Sequence, residues 1–147
     1  MNISQKRSRV LGLDFGAKRI GVAVSDLLGL TAQGLCVLER KGKKKDVPAI
    51  MRIIEDNEIC LIVIGLPKGL GGGKGTLQNE VENFGRRLEM ETGVPVEYYD
   101  ERFTTVQAER VLISADVSRK KRGRVIDKMA AQLILQGWLD THPKKNG

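Results

Sequence analysis

The run Ile59-Cys60-Leu61-Ile62-Val63-Ile64 contains no polar position. A strand wet on one face would alternate, whereas six apolar residues bounded by a glycine-rich loop read as a central strand of a sheet covered by helices. The flanking sequence supplies those helices. Before the run, Asp46 can cap a helix with Pro48 in its first turn, and Val47, Ile50, Met51 and Ile54 follow at i, i+3, i+4 and i+7. After it, Leu77, Val81, Phe84 and Leu88 form an amphipathic stripe that Gly93-Val94-Pro95 ends.

Further strands are expected at Arg9 to Asp14, at Arg19 to Ser25 after a turn at Phe15 to Lys18, at Gly34 to Arg40, and at Val96 to Tyr99. Thr104 and Gln107 have capping-box spacing ahead of a helical face at Ala108, Val111, Leu112 and Ala115. A last helix is expected from about Val125 to Asp140. The order βββαβαβαα predicts an α/β fold: a five-stranded mixed sheet that opens with a meander, with helices packed on it. At 147 residues the chain fits one domain, 1–147, with flexible basic tails at 1–8 and 142–147.

Composition narrows the chemistry. Twenty-five Lys and Arg against 18 Asp and Glu give a net charge of +7, which favours a polyanionic partner, nucleic acid first, over mere surface solubility. The one histidine, His142, lies near the C-terminus, so a His-based triad or His-rich metal site has no material. Catalysis would rest on carboxylates. Cys36 and Cys60 lack CxxC spacing, sit in apolar surroundings and read as buried thiols of a reducing compartment. Without a signal-like apolar run or a stretch near the ~20 apolar residues of a membrane span, a cytoplasmic protein is expected.

Basic residues cluster at Lys6 to Arg9, Arg40 to Lys45, Arg119 to Arg124 and Lys144-Lys145, outside the apolar-periodic segments. Each cluster reads either as a solvated loop or as a phosphate contact.

Ligands of open α/β sheets gather at the carboxyl ends of the strands, and three acidic residues fall there. Asp14 closes the first strand after apolar and glycine residues, where an unpartnered buried carboxylate would be costly. Glu101 follows the fifth strand; Asp100 beside it should point the other way. Asp127 is expected in the first turn of the last helix, on one face with Ala130, Ala131 and Ile134, whose small residues let the helix approach the sheet. Each also has a plain structural reading, as a turn residue or as an acid favoured by a helix dipole. Three converging carboxylates call for cations. Mg²⁺ suits an all-oxygen donor set, and two such ions can stabilise the attacking and leaving oxygens of an in-line phosphoryl displacement.

The loop from Gly65 to Thr76 lies between strand and helix but fails the P-loop pattern, because the positions that need Gly and Ser/Thr are Lys68 and Gly75. It reads either as a flexible connection or as a phosphate cradle that uses backbone N–H groups with Lys68 and Lys74.

Four segments, Val10 to Asp26 (VLGLDFGAKRIGVAVSD), Val63 to Pro67 (VIGLP), Asp100 to Thr105 (DERFTT) and Asp127 to Gln136 (DKMAAQLILQ), resemble in order and spacing the YqgF family of RNase H-like proteins, known as pre-16S rRNA nucleases or Holliday junction resolvases. The resemblance spans Val10 to Asp140 and departs at Gly71-Gly72-Gly73. It implies an RNase H-like fold and an acidic triad at Asp14, Glu101 and Asp127, the three residues already singled out. It further implies Mg²⁺- or Mn²⁺-dependent phosphodiester hydrolysis with water as the nucleophile.

Lys18, Arg19 and Arg102 are then expected to hold backbone phosphates, and Arg119, Lys120, Lys121, Arg122 and Arg124 to clamp a neighbouring stretch. The leading expectation is a ribonuclease that trims the 5′ end of a ribosomal RNA precursor. A resolvase of branched DNA would need two sites, hence a dimer, and the sequence offers no clear dimer face, so a monomer is expected. A non-catalytic RNA-binding factor and an ATPase of the same fold are further alternatives; the intact triad argues against the first and the single-domain length against the second.

Overall fold

A computed structural model describes residues 9–67, 76–101 and 119–143. In chain order the elements are β1 (Arg9–Phe15), β2 (Arg19–Ser25), β3 (Ala32–Glu39), α1 (Lys43–Asp56), β4 (Ile59–Leu66), α2 (Thr76–Thr92), β5 (Val96–Asp100) and α3 (Arg119–Thr141). The strands form one sheet in the order β3-β2-β1-β4-β5. β1 pairs antiparallel with β2, and β2 with β3, while β1 with β4 and β4 with β5 are parallel. This is the mixed, meander-first sheet expected, in the RNase H-like arrangement. The helix expected after Thr104 lies outside the described residues.

Strand alternation divides the core into two layers. Leu11, Leu13, Ile20, Val22, Ile62 and Ile64 point to one face, where they bury Val47, Ile50 and Ile54 of α1 and Val81, Phe84 and Leu88 of α2. The other face carries Val10, Ala23 and Val63 and packs on Ala130, Ala131, Ile134 and Leu135 of α3. The apolar run of β4 therefore serves both layers, which is why it has no polar position.

The face toward α3 is lined with small residues. A Cβ on Gly12 would lie 2.7 Å from Leu135 Cβ, and one on Gly21 would lie 2.0 Å from the Asp127 carbonyl oxygen. Only glycine lets the α3 backbone settle this close to β1 and β2. Gln136 fixes the helix to the β2–β3 hairpin, accepting from the Ala32 N–H at 2.9 Å and donating to the Leu30 carbonyl at 2.9 Å.

Several boundaries differ from expectation for physical reasons. α3 begins at Arg119, not Val125. Lys and Arg have good helix propensity, so the basic segment 119–124 continues the helix outward without apolar periodicity to reveal it. It is not a loop ahead of the helix, and Asp127 lies in the third turn instead of the first. α1 likewise starts at Lys43, after Gly42 with φ 103°, so Asp46 is not the N-cap and Pro48 lies inside the helix. The Asp46 carboxylate reaches back one turn and accepts from the N–H groups of Lys41 (3.0 Å) and Gly42 (3.2 Å).

Cys36 and Cys60 are half-buried instead of buried; burial raises the Cys36 thiol pKa, an effect that nearby Lys128 partly offsets. His142, expected in a flexible tail, is anchored, its ring stacked 4.2 Å from Trp138. No helix among the described residues is long and apolar enough to cross a membrane.

Candidate active site

Asp14 is the last-but-one residue of β1. Val10 and Gly12 meet α3, so by alternation the Asp14 side chain shares that face. It is buried, with 5% exposure. Its register partner in β2 is Gly21, the residue over which the Asp127 backbone passes. Asp14 and the α3 segment that carries Asp127 are thus neighbours across a single glycine.

Glu101 comes from the other side. It follows β5 directly and is 8% exposed, whereas Asp100 is half-buried, in keeping with the expected division between the two. The Glu101 Cγ would lie 3.3 Å from a Cβ on Gly65. Gly65 is one step beyond the Leu13–Ile64 register pair and so lies beside Asp14. The sheet order and these two glycines bring all three acidic residues to the same end and face of the sheet.

Asp127 makes a specific contact there. Its Oδ2 accepts from Arg19 Nε at 2.7 Å, with the side chains 17% and 30% exposed. The hydrogen bond and the charge of Asp127 raise the Arg19 pKa, against a smaller opposing effect of desolvation. Arg19, expected to hold a phosphate, is therefore engaged with a carboxylate. Among the described residues no group of three or more His, Cys, Asp or Glu side chains is gathered as a metal site.

The remaining expected cations divide into four sets. Lys18 is exposed on the β1–β2 turn. Arg124 is exposed and pairs with Glu39 of β3 at 3.0 Å. Arg119, Lys120, Lys121 and Arg122 lie in the first turn of α3, while Lys68, Lys74 and Arg102 lie outside the described residues.

One positioning residue was not foreseen. Arg40 lies 4.2 Å over the Phe15 ring and donates to the carbonyls of Gly16 (2.9 Å) and Ala17 (3.0 Å), bracing the turn that follows Asp14. Only its place at the head of a basic cluster marked it. A cleft of about 500 Å³ lined by Arg9, Ser25, Asp26 and Asn57 lies at the opposite end of β1 and includes none of the three acids.

A family model described as RuvX, Holliday junction resolvase, matches residues 8–141. The chain belongs to the RuvX family. This bears out the YqgF resemblance, which names the same family. Among curated relatives, a protein of Clostridioides difficile (strain 630) is 53% identical over 132 residues, covering 90% of this chain and 94% of its own. One of Natranaerobius thermophilus is 46% identical over 138 residues, covering 94% and 98%. Both carry the name "Putative pre-16S rRNA nuclease".

Among solved structures, Thermus thermophilus RuvC in complex with a Holliday junction substrate superposes with TM-score 0.59 at 14% identity, covering 93% of this chain and 98% of that one. Fowlpox virus resolvase with its junction DNA gives 0.53 at 10%, covering 92% and 99%. At these identities the likeness concerns the fold, and it agrees with the RNase H-like sheet described above.

Proposed function

We propose that this RuvX-family chain is a metal-dependent nuclease that hydrolyses phosphodiester bonds, with the 5′ region of a 16S rRNA precursor as substrate. The observation that carries the reading is the placement of two buried carboxylates, Asp14 and Glu101, on the sheet face crossed by the helix that bears Asp127. Burying carboxylates is costly unless a cation or hydrogen bonds compensate, and an all-oxygen set suits Mg²⁺ or Mn²⁺. Asp14, Glu101 and Asp127 are the residues that would hold such ions. When bound, the ions supply Lewis acidity that activates water and offsets charge on the phosphate.

The protein's own contribution is to hold the acids still. β1 and the Arg40-braced turn fix Asp14; Gly21 and Gly65 let Asp127 and Glu101 close on it. Lys18, Lys68, Lys74, Arg102, Arg119, Lys120, Lys121, Arg122 and Arg124 would orient backbone phosphates around this acidic centre, an arrangement in which a monomer in the cytoplasm suffices. Identities near 50% to relatives named for pre-16S rRNA support RNA as substrate. The family description and the RuvC likeness favour a second reading, a resolvase of branched DNA, which would require a dimer.

Cleavage of precursor rRNA and of a synthetic four-way junction, measured side by side in Mg²⁺ and Mn²⁺, separates the two. In either assay Asp14→Asn should abolish cleavage; unchanged activity in that variant would sink the carboxylate mechanism.

A further inference from the structure

A groove of about 320 Å³ lies between β3 and the first half of α3, lined by Cys36, Val37, Arg124, Val125 and Lys128. Its place follows from the strand register. Asp14 pairs with Gly21 and Gly21 with Val37, so the groove lies two strand spacings, about 10 Å, from the buried acid. None of its residues lines the cleft at the far end of β1.

The helix side of this groove carries one sign of charge. Arg124 and Lys128 are one turn apart and both exposed, and Gln132 continues the same stripe a turn further on. Gly34 of β3 beds the Lys128 stem: a Cβ there would meet Lys128 Cγ at 2.6 Å and Cδ at 3.1 Å. A stem laid along backbone has less freedom to lose when its ammonium takes a partner. Arg124 pairs with Glu39 at 3.0 Å, but the two side chains are 63% and 49% exposed, and a surface pair of that kind is weak enough to yield to another anion. Outward from Arg124 the helix continues through Arg122, Lys121, Lys120 and Arg119. Val37 and Val125 give the groove apolar surface between the cations and the strand. Cations in line beside an apolar floor match a chain that repeats phosphates along a scaffold of sugars and bases.

We propose that this groove is the track of the substrate strand: Lys128 and Arg124 hold backbone phosphates as the strand leaves the acidic centre for the basic start of α3. The inference rests on the nucleic-acid reading above and gives that substrate a path across β2 and β3. Lys128 joins the phosphate-binding set, and Arg124 exchanges Glu39 for a phosphate. These contacts are to the backbone, so they fix position without reading sequence.

The test is binding of a fluorescein-labelled single-stranded RNA to the full chain, followed by anisotropy over a range of salt without divalent ions, so that the RNA stays whole. Each phosphate contact to a single strand adds about 0.7 to the slope of log affinity against log salt. The double variant Arg124→Gln, Lys128→Gln should therefore lower that slope by about 1.4, which makes its loss of affinity about 25-fold greater at ~0.1 M than at ~1 M salt, alike for RNAs of unrelated sequence. A matched control removes the same charge from the opposite layer: Arg86→Gln, Arg87→Gln, two exposed positions of α2, should keep the wild-type slope. Lys128→Gln alone leaves the Arg124–Glu39 pair intact and should lower the slope by about 0.7; it serves as the test if the double variant does not fold. An unchanged slope in the Lys128 variants, or an equal fall in the α2 control, overturns the proposal and leaves the carboxylate mechanism standing. If the wild-type chain binds neither this RNA nor a four-way junction, the nucleic-acid reading fails and this inference falls with it.

Discussion

Substitution of Gly21 by alanine is expected to damage this protein far more than one methyl group would suggest. The new Cβ would lie 2.0 Å from the Asp127 carbonyl oxygen and 2.6 Å from its carbonyl carbon, both backbone atoms of α3. Ordinary contact begins near 3.4 Å, so strand and helix must separate by about 1.4 Å, and neither has a side chain to swing aside. Overpacking typically costs 1 to 3 kcal/mol, and a backbone-to-backbone clash between two core elements belongs at the upper end, about 3 kcal/mol. For a chain of this length that is a fall in Tm of about 6 to 12 °C. Gly34→Ala is the matched control. It lies on the same sheet face, but its Cβ would meet Lys128 Cγ at 2.6 Å, a side-chain atom that a change of Lys128 rotamer can shift while the helix backbone stays in place. Thermal unfolding by circular dichroism should therefore place Gly34→Ala below wild type and Gly21→Ala well below both. Cleavage by Gly21→Ala should be lost even below its Tm, because the shift displaces Asp127 relative to Asp14. Equal melting of the two variants would refute the close seating of α3 on β2, and with it the argument that glycine brings the acids together.

Two further outcomes follow from the rim and the far end of the sheet. Arg40→Ala removes a stack on Phe15 and two donors to turn carbonyls, and should lower stability by about 2 kcal/mol in urea unfolding; Arg40→Lys should recover only part of it. The Asp26 pKa is lowered, first by the Leu30 N–H and then by Thr31, so its folded value lies below the ordinary 3.8. Its contribution is therefore complete above the ordinary value and is lost as pH falls through the folded one, and Asp26→Asn should flatten the pH dependence of the urea midpoint in that acidic window.

How much of this was legible in the sequence depended on whether the signal was local. β2 was expected at Arg19 to Ser25 and is found there, because its alternation is local and its turn is marked. β1 runs one residue further than expected, to Phe15, and the end of β1 that carries Asp14 was readable from apolar neighbours alone. The start of α3 was not, since straight-chain cations extend a helix without leaving an apolar stripe. Ala130, Ala131 and Ile134 did announce the buried face beside Asp127. The Arg19–Asp127 bond left no trace in periodicity, as its partners are 108 residues apart and one of them had an equally good reading as a phosphate ligand. Arg40 was hidden for a similar reason: its role depends on reaching from the end of β3 to the Phe15 ring and the turn beyond it.

The two faces of the sheet explain why the candidate site lies where it does. On the α1/α2 face, Leu11, Leu13, Ile20, Val22, Ile62 and Ile64 fill the space with large side chains, which hold those helices off the strands and leave no room for a charge. On the α3 face, Gly12, Gly21 and Gly65 remove the side chains that would hold a helix away, and the helix atoms occupy their place. A short aspartate on α3 can then reach the strand ends, which it could not do across a layer of leucines. The same economy makes this face intolerant of added volume, while the opposite face should accept aliphatic exchanges of similar size. The helix that bears Asp127 thus packs on the one face where backbone, not side chain, sets the spacing, and buried Asp14 shares that face.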